Sequence, residues 1–227
     1  MDAARITAVR TAAVSGVAIR LFAAPETRHV AILGAGVQAR SHLEVVAATL
    51  AQATVSLHDR HPERARGLAE EANRSAGREW VTPVAEARSA VSRADVVITV
   101  ATLGASQQVM TADWLSPGML VVAVDFATYV SAELARQARA FAVDDREQFL
   151  FYRANGDFDG YPEPTTTLGE ALDQQPATDQ PASDQPAPSD GRPVVVTHLG
   201  VGLADVLFAD AVRRTAEESG AGLEIPR

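Results

Sequence analysis

The 227-residue sequence predicts an α/β fold of the Rossmann type, a doubly wound parallel sheet, and three observations predict it. An apolar strand enters a helix through a tight glycine turn, strands and helices then alternate along the chain, and a carboxylate stands at the end of the second strand. The turn lies in Val30 to Glu44, VAILGAGVQARSHLE, whose GxGxxA pattern is that of a phosphate-binding corner. Gly34 takes the positive φ of the turn, Gly36 lets backbone N–H groups approach a pyrophosphate, and Ala39 keeps the helix close to the sheet. Ala35, Val37 and Gln38 complete the corner. A small-residue loop before an ordinary helix gives the same pattern, so its surroundings carry the weight.

Those surroundings fit. Residues 29–33 read as a buried parallel strand, 37–50 have helical apolar spacing, and 54–57 form a second strand. It ends in His58, Asp59 and Arg60, which puts the Asp59 carboxylate where such folds hold the ribose hydroxyls of the cofactor. A carboxylate repels a 2′-phosphate, so Asp59 argues for NAD over NADP, although Arg60 can stack on adenine or pair with that phosphate. The competing reading of Asp59 is a solvated cap before Pro62.

Composition narrows the classes. The chain is 47% hydrophobic, enough for a core, and has no run of 18 apolar residues and no signal-peptide pattern. Its formal charge of −9 argues against nucleic acid as a partner, and no membrane association is expected. Zero cysteines exclude disulfides and thiolate chemistry and suit a cytoplasmic setting. All 20 basic residues are arginine, so lysine acid/base and Schiff-base chemistry are excluded within this chain.

Along the chain, 6–21 reads as a packed helix of small and branched residues, interrupted by Arg10 and Thr11. Arg10 either pairs with the carboxylate or phosphate of a ligand through its bidentate fork or is an exposed or structurally paired arginine. Residues 62–76 form an exposed-face helix and 80–84 a third strand. His58 and His61 are three apart across Pro62, and no metal site is expected there. A fourth strand, 96–100, leads into Ala101 and Thr102 at the ligand-binding rim. A fifth, 119–124, ends in Val124 and Asp125. Asp125 is placed to move a proton or hold an ammonium, and equally to be a paired structural acid.

Residues 141–143 form another strand, with Asp144 and Asp145 as caps for a helix over 146–153, and a short helix follows at 168–172. The tandem ATDQP and ASDQP within 174–191 mark a disordered linker. A strand at 193–197 and a helix over 204–218 close the chain, with His198, Gly200 and Gly202 at the turn between them. His198 is read either as a structural cap or as a residue bordering the nicotinamide.

TAVRTAAVSGVA followed by VAILGAGVQARSHLE resembles the ornithine cyclodeaminase and mu-crystallin family, and the likeness continues through TVAT, DWLSPGMLVVAV, VDDREQ and HLGVGLADV. The resemblance implies an NAD-dependent enzyme acting on an amino acid or imine by hydride transfer, as a homodimer. It implies that Arg10 binds the substrate α-carboxylate, with Thr11 and His198 among the cofactor contacts. Family members read AVGAD where this chain reads AVDFA, which puts Asp125 on the family's glycine and Ala127 on its catalytic aspartate. Asp125 then takes over the role or the chemistry is lost, the chain being a nucleotide-binding remnant. The family's amino-terminal region and its lysine have no counterpart here. The expected partition is a helix over 1–24 left from a substrate domain, a cofactor domain over 25–173, the linker, and a strand and helix over 192–227 returning to the substrate side.

Overall fold

The computed structural model describes residues 3–101, 107–174 and 190–222. Its sheet is built from β1 (His29–Leu33), β2 (Thr54–His58), β3 (Val81–Pro83), β4 (Val96–Thr99), β5 (Leu120–Ala123), β6 (Ala140–Val143), β7 (Thr166–Thr167) and β8 (Val194–Thr197). All pairings are parallel, in the order β3-β2-β1-β4-β5-β8-β6-β7. From β1 the chain winds one way to β3 and then crosses to β4 on the other side. The winding therefore reverses between β1 and β4, and ligands of such sheets bind at that reversal, beyond the carboxyl ends of the strands.

The helices are α1 (Ala3–Phe22), α2 (Val37–Thr49), α3 (Pro62–Ala76), α4 (Ala87–Val91), α5 (Ala132–Gln137), α6 (Arg146–Ala154), α7 (Leu168–Asp173) and α8 (Gly202–Ser219). Every residue of β4, β5 and β8 is buried, as a parallel sheet covered on both faces requires. One face packs against Ile19 of α1, Leu43 and Val46 of α2 and Leu68 of α3. The other packs against Ala90 of α4, Leu134 of α5 and Phe149 of α6. Gly16 brings α1 down on α2, since a Cβ there would lie 2.9 Å from Val45.

The last strand corrects the expected partition. The sequence groups residues 193–197 with the chain's end on the substrate side; β8 lies inside the main sheet, with Val194 in register with both Leu120 and Ala140. The run Val194–Val196 is apolar toward both faces, and only an interior strand buries it fully. α8 does leave the sheet: it packs on α1 and buries none of its residues completely. Most of the 174–191 linker, residues 175–189, lies outside the described residues. Arg213 and Arg214 pair with Asp210, and Arg213 also with Glu217, on the surface of α8.

Candidate functional site

The carboxyl ends of β1, β4, β5 and β8 are neighbours, and every residue of the site comes from the loops that leave them or from a helix packed beside them. After β1 the turn is forced by Gly34, which has φ +116° and donates to the His58 carbonyl at 2.7 Å. A Cβ at Gly34 would lie 2.6 Å from the Val100 carbonyl oxygen, so the turn and the end of β4 touch backbone to backbone. Gly36 is different. It caps α2 in an extended conformation with no side-chain bond to the helix, and nothing lies within 4 Å of where its Cβ would be. Open space over uncapped helix amides is what a pyrophosphate needs. Val37, 70% exposed, lines the same opening, and the Gln38 carboxamide oxygen there is buried without a partner.

Asp59 reaches back to this turn. One carboxylate oxygen accepts from the Ala35 N–H and the other from the His61 N–H, both at 2.8 Å. The carboxylate thereby steadies the corner while keeping acceptor capacity on each oxygen. Arg60 beside it is exposed.

Between β4 and β5 sits Asp125, 1% exposed. It accepts from the Thr99 hydroxyl at 2.6 Å and the Ala101 N–H at 3.2 Å. Burial pushes its carboxyl up to about 7, against the stabilising pull of Thr99 and Ala101. It is thus a group divided between acid and base at neutral pH. Val124 bonds back to the Thr99 carbonyl at 2.9 Å and is partly buried. Thr102 lies outside the described residues.

Arg10 projects from α1 over the turn after β8. Its Nε lies 3.0 Å from the Asp205 carboxylate, at an angle that makes the contact an ion pair and not a hydrogen bond. The guanidinium rests on Gly200, φ +96°, where any side chain would collide with it. Asp144, expected as a helix cap, accepts from the Leu199 and Gly200 N–H groups at 3.0 and 2.7 Å, and Gln148 donates to the Gly200 carbonyl at 3.2 Å. The expected cap is Asp145 alone, accepting from Gln148 N–H at 2.7 Å.

Sequence reasoning missed a polar chain in the core beneath this rim. Ser15 Oγ is 2.8 Å from Nε2 of both His42 and His198, and all three residues are buried. The His42 Nδ1 is 2.7 Å from the Gln38 carbonyl, which only accepts, so Nδ1 carries the proton. Burial lowers His42 to about 4 and, with His42 and Arg10 nearby, His198 to about 3, so both rings are neutral at pH 7. The bare His42 Nε2 accepts from the Ser15 hydroxyl, and the Ser15 oxygen accepts from His198 Nε2–H. His198 Nδ1 is left without proton or partner.

His198 therefore turns inward. Strand alternation puts it on the side of Val194 and Val196, facing α1, so its ring joins the core polar chain instead of bordering the open rim. Thr11 is likewise buried on α1, at 6% exposed. No sequence signal joined Ser15, His42 and His198, which stand 27 and 183 positions apart across the two bonds. Asp205 carried one signal, an acid in the first turn of α8 within the HLGVGLADV motif. Among the described residues, no helix is long and apolar enough to cross a membrane and no group of three or more metal-ligating side chains occurs.

A glycine corner at the winding reversal, steadied by a carboxylate from the second strand, defines a Rossmann-type α/β protein with a dinucleotide phosphate corner. Within that class, the chain matches the ornithine cyclodeaminase/mu-crystallin family over residues 1–171 and belongs to it. It is 32% identical over 223 residues to the nodulation efficiency protein NfeD of Rhizobium meliloti, covering 98% of this chain and 66% of that protein. To ketimine reductase mu-crystallin of Mus musculus it is 36% identical over 154 residues, 66% of this chain and 47% of that one. The Thermococcus litoralis Δ1-pyrroline-2-carboxylate reductase, solved in complex with NADH and L-proline, superposes with a TM-score of 0.76 at 24% identity, over 97% of this chain and 68% of that chain. The chain thus spans about half to two thirds of the length of these curated relatives.

Proposed function

We propose that this chain forms the cofactor side of an NAD-dependent oxidoreductase that reduces the C=N bond of a carboxylate-bearing imine, or runs the reverse reaction on an amino acid. The observation that supports it most is the open space over the uncapped amides beyond Gly36, on the same sheet rim as the buried Asp125 carboxyl and Arg10. Relatives named as ketimine and Δ1-pyrroline-2-carboxylate reductases point the same way.

In this reading the amides from Gly36 to Gln38 hold the pyrophosphate, and Asp59 takes the ribose hydroxyls, which favours NAD over NADP. A bound nicotinamide supplies or accepts the hydride. Arg10 clamps the carboxylate of the substrate, and Asp125, with its carboxyl near 7, exchanges a proton with the substrate nitrogen. Leu203, Val206 and Leu207, an exposed apolar edge of α8, support burial of that edge in a homodimer. A second reading, ligand binding without turnover, is favoured by Ala127, buried where the family resemblance expects the catalytic aspartate.

The test is nicotinamide absorbance in mixtures of the protein, NADH and Δ1-pyrroline-2-carboxylate, and of NAD with a panel of L-amino acids. Oxidation or reduction above a Gly36→Leu control supports the enzyme. A flat trace across the panel, with coenzyme binding intact, leaves the binding protein.

A further inference from the structure

We propose that Phe126 is a positioning residue for Asp125, its ring anchoring a left-handed backbone turn that keeps the carboxyl aimed at Thr99; this rests on the reading of Asp125 as the proton-exchanging group. Phe126 follows Asp125 directly and has φ +56°. A bulky aromatic residue rarely adopts that conformation, and keeps it only where its surroundings hold it there. The Phe126 ring stacks on Phe158, with centroids 5.4 Å apart and planes at 11°, and meets Tyr152 of α6 edge-on at 5.4 Å and 89°. Phe158 is wholly buried, so the stack ties the turn to the core.

Ring and carboxyl are coupled through the direction of the chain. Thr99 is in register with Ala123, on the sheet face that carries Phe149 and Phe158, and Asp125 bonds to Thr99 on that face. In an extended chain the next side chain would point to the opposite face. The left-handed turn instead brings Phe126 round to the face of Asp125, so the stack and the Thr99 bond exist together. The Thr128 N–H and hydroxyl close the turn by donating to the Asp125 carbonyl at 3.2 and 2.7 Å. Burial, then the Asp125 charge, push the nearby Tyr129 and Tyr161 hydroxyls above the ordinary phenol range, so neither ionises where Asp125 does.

The experiment compares wild type with Phe126→Ala, Phe126→Gly and Phe126→Tyr. The Asp125 carboxyl is titrated by 13C NMR, and the pH profile of kcat/KM is recorded for NADH-driven reduction of Δ1-pyrroline-2-carboxylate. Alanine and glycine both remove the ring and differ only by the methyl group that disfavours a positive φ. Phe126→Ala should relax the turn and release the carboxyl to water, its titration falling from about 7 toward the 3.8 of an ordinary aspartate, with the kinetic profile following. Phe126→Gly should keep the turn and a titration near 7, and Phe126→Tyr should match wild type. An unmoved Asp125 titration in Phe126→Ala, or an equal fall in Phe126→Gly, overturns the proposal by itself. The NMR titration needs no turnover, so it decides the positioning role alone. A titration that falls in Phe126→Ala while the kinetic profile stays that of wild type overturns the reading of Asp125 beneath it.

Discussion

The two ligand corners of the rim are built in opposite ways. The phosphate corner comes from one stretch, Gly34 to Asp59, and its critical neighbours are backbone atoms: the Val100 carbonyl against Gly34, the Ala35 N–H on Asp59. The arginine corner gathers Arg10, Asp144, Gln148, Gly200 and Asp205 from separate parts of the chain, and its critical neighbours are side chains. The first is rigid because the sheet itself holds it. The second holds only while α1, β8 and α8 keep their places.

That contrast ranks the consequences of substitution. Gly34→Ala should be the most damaging, since its Cβ meets immovable backbone at 2.6 Å in a left-handed conformation; a loss of about 3 kcal/mol or more is expected in chemical denaturation. A denaturation midpoint within error of wild type would mean the turn is not pressed against β4. Ser15→Ala comes next. It strips a partner from both buried histidines, a loss of about 2 kcal/mol, and the His42 and His198 ring 15N shifts should report the broken chain. Unchanged histidine shifts would show that the serine does not link them. Gly200→Ala should cost about 1 kcal/mol for its φ, less than Gly34→Ala, because the guanidinium it strikes can move. Its clearer sign is displacement of Arg10, read from the Arg10 Nε–H resonance by 15N NMR.

Acidity separates the two regions more gently, with opposite signs. His42 and His198, lowered from 6.5 to about 4 and about 3, take up protons on unfolding below the usual histidine range. Their contribution is therefore complete above about pH 6.5 and is lost as pH falls. Asp125, raised from 3.8 to about 7, keeps a proton in the fold that the unfolded chain releases, so its contribution is lost as pH rises through that window. Asp125→Asn should thus gain on wild type between about pH 4 and about pH 7 in denaturant midpoints. Parallel curves for the two proteins would place Asp125 in a solvated setting.

The same contrast governs what could be read beforehand. Strands β1, β2, β4 and β5 were legible as apolar runs because both faces of a parallel sheet are covered. Gly34, Gly36 and Asp59 were legible because one turn and the next strand end contain them all. The insertion of β8 between β5 and β6 was not, since a strand's neighbours follow from topology and not from its own pattern. The two-residue β7 and five-residue α4 are too short to show a period. Arg10 stood out as a charge among alanines, but its seat on Gly200 and its pairing with Asp205 depend on contacts across nearly 200 residues.

Calorimetric titration of NADH into wild type and Gly36→Leu tests the central assignment most directly. The leucine side chain enters open space, so denaturation should be nearly unchanged while binding heat, present in wild type, disappears. Absence of heat from the wild type, or equal affinity in the two proteins, would contradict a coenzyme seated on the amides that open α2.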